Sequence, residues 1–294
     1  MSRLIGLCLL LSLFLLSEVC YGLEWKKLHE QADKTTLSGA LDSLKQKPDS
    51  MEELYILGLA YLNIHKDQEA GEVFSRILRL YPQTIEARWG LAEVQRRQHN
   101  LDKSEALLSE IIEANPDFSP AYISLAYLKY MRMDFKESIA LAYKVIKQGK
   151  SSVDLSNYTR AYLLVGGGRG MLAHYGGPIS KIANGTAVLP NLKKAEVLQP
   201  DSPGVLFGLG SFYFLAPGLA GGDKEKAFGY LEKALQQDPL FADAYVRLAQ
   251  FYKYKGDNDK YKAYLDKAAR IDPQNGLLLD ALNNKCRFVC ISDN

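Results

Sequence analysis

A period of 34 residues constrains this chain more than any other feature. From Met51 to Thr84, Leu54, Leu57, Gly58 and Tyr61 share one helical face. Ala70, Phe74, Ile77 and Leu78 share a second, and Pro82 closes the unit. Moving 34 residues on from Leu57, Gly58 and Pro82 reaches Leu91, Ala92 and Pro116. A fixed beat of helix, turn and helix describes stacked hairpins, each burying its apolar face only against its neighbours. The Gly or Ala in the middle of each first helix lets the next helix approach closely, where a large side chain would force the hairpin open.

These residues resemble the tetratricopeptide repeat, and the resemblance implies an all-α fold, a right-handed α-solenoid of helix-turn-helix units. Residues 23–50 read as a capping helix pair and 51–152 as three repeats. Between 153 and 202 the beat is lost and glycine accumulates, at Gly166, Gly167, Gly168, Gly170, Gly176, Gly177 and Gly185. This stretch reads as a divergent, stretched repeat: a helix from Tyr158 to Tyr175, an irregular excursion through Pro178 and Asn184, then a helix from Asn191 to Leu198. Two repeats follow over 203–275, the first with five extra residues in its turn, LAPGLAGGDKEKA, where Asp223 is placed to cap the second helix. Residues 276–294 supply a capping helix and a cysteine pair.

The composition, 47% hydrophobic and 24% charged over 294 residues, is that of a folded chain. A net charge of +2 with interspersed signs gives no basic stripe, which argues against nucleic acid as a partner. Arg3 followed by the apolar run Leu4 to Leu16 reads as an export signal over 1–22, too short for a transmembrane helix. An exported, periplasmic chain follows, with a lipid-anchored start at Cys20 as the alternative. Removal of the signal leaves Cys286 and Cys290, an even pair that suggests a disulfide in an oxidising compartment.

No cofactor, metal or catalytic constellation emerges from spacing. The Val-Gly-Gly-Gly-Arg-Gly segment at 165–170 lacks the Gly-Lys-Ser/Thr of a phosphate loop and the preceding strand of a dinucleotide fingerprint. His65 and His99 fall at equivalent turns and read as solvated residues, and His174 stands alone beside Tyr175. Asn157 and Asn184 each open a glycosylation sequon. The chain is not expected to be an enzyme.

Projecting the repeat register places Tyr55, Trp89, Arg96, Arg97, Tyr127, Tyr130, Phe207, Phe214 and Tyr254 on the inner face of the superhelix. Aromatic side chains and arginine dominate interface energies, so this lining suits a protein or peptide partner, or a small apolar ligand. The lysine with which some relatives clamp a terminal carboxylate is replaced by Tyr55, Trp89, Ile123, Phe207 and Val246. Arg169, His174, Pro217, Gly221, Gly222 and Asp223, on the insert and the extended turn, are candidates for a lid or docking loop. The expected function is a non-enzymatic exported scaffold in the cell envelope. As an alternative, residues 203–294 resemble the tetratricopeptide T component of TRAP-type transporters, which implies a ligand-binding accessory.

Overall fold

The apolar periodicity resolves into antiparallel helix pairs. The computed structural model describes residues 24–289; the expected signal at 1–22 and Cys290 lie outside them. Among the described residues are fifteen α-helices, one 3-10 turn and no strand. Two short helices, α1 (Trp25–Ala32) and α2 (Leu37–Gln46), precede six pairs. The pairs are α3 (Met51–Asn63) with α4 (Asp67–Leu80), α5 (Ile85–Arg97) with α6 (Leu101–Ala114), and α7 (Ser119–Met131) with α8 (Phe135–Gln148). Then come α9 (Leu155–Tyr175) with α10 (Pro178–Leu198), α11 (Pro203–Leu215) with α12 (Lys224–Gln237), and α13 (Ala242–Tyr254) with α14 (Asn258–Ile271). The short α15 (Gly276–Leu282) is capped by Asn275, whose side chain accepts from the Leu277 and Leu278 amides.

The turns inside four of the six pairs share one mechanism. His65 and His99 at φ 60°, Met133 at 65° and Gly256 at 79° are left-handed. The next amide, of Lys66, Asn100, Asp134 or Asp257, returns to the carbonyl five residues back at 2.9–3.0 Å. This closes the carbonyls that a helix end leaves open. The pairs then stack through small residues: a Cβ on Gly58 would lie 2.5 Å from the Phe74 ring, and one on Gly90 2.6 Å from the same ring.

α9 and α10 are 21 residues each, seven or eight longer than the helices of the other pairs. At 1.5 Å per residue the hairpin projects about 10 Å farther. The glycines of α9 are contact points: a Cβ on Gly166 would meet Leu192 at 2.9 Å and one on Gly168 would meet Ile139 at 2.7 Å. The expected excursion between Tyr175 and Asn191 is corrected, because α10 runs unbroken through Pro190. Proline has no N–H to donate back to Thr186, and the Asn191 side-chain amide bonds the Ala187 carbonyl at 2.7 Å, covering the disturbed turn. Both sequon asparagines are engaged. Asn157 is buried in the cap of α9, and Asn184 bonds Arg169 and Ser180.

α1 and α2 do not form the expected cap as a pair. α2 covers α3, but α1 turns onto the inner face, where Trp25 packs edge-on to Phe118 and His29 lies against Tyr55 and Trp89. Its apolar side needs a partner, and the aromatic inner face supplies one.

The superhelix also closes on itself. His65 bonds Asp238 and His99 bonds Asp272, each at 3.0 Å, and the two partners in each pair are 173 residues apart. Both histidines sit in the turns, as expected, and His65 is exposed, but each also has a partner across the superhelix. Two successive first-helix turns of the N-terminal half meet two successive second-helix ends of the C-terminal half. Asp238 is held below its ordinary value: burial opposes this, but the His65 bond and the Leu240 amide outweigh it.

Candidate functional site

The inner face, built from the first helices of the pairs, falls into three parts. In the first, α1 is seated. His29 Nε2 shares a hydrogen bond with the Tyr55 hydroxyl at 2.8 Å, and its other ring nitrogen faces the fully buried Asp154 carboxylate at 3.7 Å. Asp154 also accepts from the Asn157 amide and side chain, at 2.9 and 2.8 Å. Burial raises the Asp154 pKa, but His29 and Asn157 outweigh it and hold the group below its ordinary value. Burial pushes the Tyr55 hydroxyl well up. Tyr55 and Trp89 thus lie on the expected face, and the chain's own first helix covers them.

The middle part is polar. Arg96 reaches both oxygens of Glu93, at 3.2 and 2.9 Å, and lays its guanidinium 4.6 Å from the Tyr127 ring centre. Burial works against the Glu93 charge, but Arg96 and then Arg97 overcome it and take the carboxyl down to about 2. Arg97 donates to the Leu62 carbonyl at 2.8 Å and to Asp67 at 3.2 Å. Its pKa is lowered by burial and by Arg96. Tyr127 is 38% exposed, with its hydroxyl pushed up to about 12 by burial and by Asp243. Asp243 in turn is raised by burial, although it accepts from Asn275 at 2.9 Å.

In the third part the segment after α15 comes back over α7, α9 and α13. Phe288 stacks on Tyr130, with centroids 6.0 Å apart and planes 23° apart. The Tyr175 hydroxyl donates to the Arg287 carbonyl at 2.6 Å, and Arg247 donates to the Val289 and Phe288 carbonyls at 2.8 and 3.3 Å.

The remaining expected groove residues fall elsewhere. Phe214 is a fully buried core residue of α11 and Phe207 packs on Phe241 at 5.1 Å, while Tyr254 is half exposed beneath Lys224. The proposed lid residues have local partners. Arg169 bonds Asn184 at 2.9 Å, and Asp223 caps α12 through the Lys226 amide at 3.0 Å, as its position predicts. Gly221 has φ 94°, and a Cβ on Gly222 would sit 1.9 Å from the Ala216 carbonyl oxygen. His174 is exposed, edge-on to Tyr175. Sequence reasoning missed His29, Tyr175, Asp243 and Arg247. Spacing did not single out the last: the sixth residue of the first helix is Ile56, Gly90, Ser124, Arg160, Gly208 and Arg247 in the six pairs.

The arrangement suits capture of polypeptide, because rings and guanidinium groups face inward and α1 and the segment after α15 already rest on them. The tetratricopeptide-repeat family matches residues 68–126 and again residues 242–275. No curated protein matches the sequence. Among solved structures, the chain is similar to a tetratricopeptide repeat protein from Parabacteroides merdae at 15% identity and TM-score 0.53, covering 88% of this chain and 97% of that one. It is also similar to a chain of the APC/C hetero-tetramer Cut9-Hcn1 at 16% identity and TM-score 0.57, covering 90% of this chain and 49%, about half, of that one. At such identities the likeness concerns the fold, and it agrees with the repeats matched directly. Over residues 68–126 and 242–275 the chain carries tetratricopeptide repeats, and its fold is that of a tetratricopeptide solenoid.

Proposed function

We propose that this protein is a non-catalytic, exported scaffold that holds a protein or peptide segment on the inner face of its superhelix, in the cell envelope. The observation that carries the reading is the inner face itself. Arg96, Arg97 and Tyr127 face the interior between the seats of α1 and the C-terminal segment, with Tyr127 still open to solvent. Arg3 and the apolar run behind it support export. Cys286 lies in the segment after α15, and a bridge to Cys290 would suit an oxidising compartment. The reading as a transport accessory rests on the resemblance of residues 203–294; Asp223 in the turn of that stretch caps α12, and no observation favours this reading over the scaffold.

A photo-crosslinking side chain at position 127 of the full-length chain, expressed in its own cells, tests this. The expected result is discrete protein adducts that a probe at exposed Lys233 does not give. Adducts with small molecules alone, or the same adducts from both positions, would overturn the scaffold reading.

A further inference from the structure

Residues 284–289 are held by two separable sets of contacts. One is a latch on α15: the buried Asp280 carboxylate accepts from Arg287 Nε at 2.6 Å and from the Phe288 amide at 3.3 Å. The other is a seat made by Tyr130, Tyr175 and Arg247, which takes one aromatic ring and three consecutive main-chain carbonyls, those of residues 287–289. The segment is a turn, closed by the Val289 amide on the Cys286 carbonyl at 3.3 Å, and carbonyls are common to every polypeptide, so the seat specifies a turned backbone with a ring at one position and little else.

Arg247 is built for such a guest. It is 4% exposed, and its partners are Gln250 Oε1 at 2.7 Å and the two carbonyls, with Nε buried and unbonded. A buried cation satisfied by neutral acceptors must find replacements whenever the segment leaves. The resident segment is itself an imperfect guest, since Val289 takes φ 60°, a left-handed conformation that β-branched residues avoid. A segment with glycine or asparagine at that position has less to overcome in the same seat.

We propose that residues 285–289 are a displaceable occupant of a peptide site, and that the site accepts in trans a turn-forming segment of a partner protein carrying an aromatic side chain. The partner's ring takes the place of Phe288 on Tyr130, and its carbonyls those offered to Tyr175 and Arg247. The inference rests on the scaffold reading and names the site through which one partner would enter.

The test uses the full-length chain and a labelled peptide of residues 284–289, with binding read by fluorescence anisotropy. A resident occupant lowers apparent affinity by the fraction of time the seat is empty. Phe288→Ala should therefore bind the peptide about tenfold or more tighter than the unaltered chain, and adding Tyr130→Leu should abolish the gain. A peptide with alanine for its phenylalanine should not compete. Equal affinity in the unaltered chain and Phe288→Ala, with helical content intact, would overturn the proposal.

Hydrogen exchange on the unaltered chain covers a variant that fails to fold. Amides 284–289 should exchange at least about 100-fold faster than those of α13, as expected for a segment that opens locally. Exchange at the global unfolding rate would make the segment a fixed cap and end the proposal. Adducts at position 127 together with a failed peptide assay would leave the scaffold standing without this site. Peptide binding without protein adducts would keep the site and remove the scaffold reading.

Discussion

Phe74 sits between Gly58 and Gly90, each within 2.6 Å of its ring once a Cβ is built. In an exposed helix interior, Gly to Ala gains about 1 kcal/mol. Here overpacking opposes that gain, and Gly58→Ala should destabilise by about 1–3 kcal/mol in urea unfolding. Pairing it with Phe74→Leu should restore most of the loss, a non-additivity expected of side chains in contact. Glu93 gives a second test. Its folded pKa, about 2, lies below its ordinary 4.5, so its stabilisation is present above pH 4.5 and lost as pH falls towards 2. That loss is on the order of 2–3 kcal/mol. Glu93→Gln should be less stable at neutral pH, because it leaves Arg96 without its carboxylate, and should show a flatter acid limb in thermal melts from pH 5 to 2. The small residues were legible as a pattern, whereas the role of Glu93 was not, since periodicity carries no information about which inward charges meet.

Element by element, the sequence marked most helix pairs because each carries its own apolar stripe and its own stop. It failed on α10, where Pro178, Gly185 and Pro190 read as breaks. Pro178 stands at the first turn, where its missing N–H harms nothing, and Pro190 lies inside the helix, with the Asn191 side chain bonding the Ala187 carbonyl next to the one it leaves open. Pro190→Ala should therefore stabilise the chain by about 1–3 kcal/mol, since a helix-interior proline carries a penalty of about 3 kcal/mol. A lower melting temperature instead would mean that packing of α10 on α9 requires the bend. α1 was misplaced for a different reason. Its apolar face was legible, but the choice between α2 and the inner face depends on Tyr55, Trp89 and Asp154, which sequence spacing does not bring together.

Across the whole molecule, a repeat fixes what each unit touches next and leaves open how far the stack curves. The contacts of His65 with Asp238 and His99 with Asp272 depend on that curvature, which is why they were invisible in the period. Replacing both carboxylates, Asp238→Asn with Asp272→Asn, should loosen the ring and enlarge the radius of gyration in small-angle X-ray scattering while leaving helical content unchanged. An unaltered scattering profile would show that packing alone sets the curvature. A linear array of repeats frays from its ends, because a terminal unit has one neighbour to lose. Here the first two units are fastened to the last two, so the array has no ordinary end. Fraying of an outer repeat must then also break one of these contacts, which adds the worth of an exposed His–Asp pair, about 1 kcal/mol or less, to the cost of opening an end.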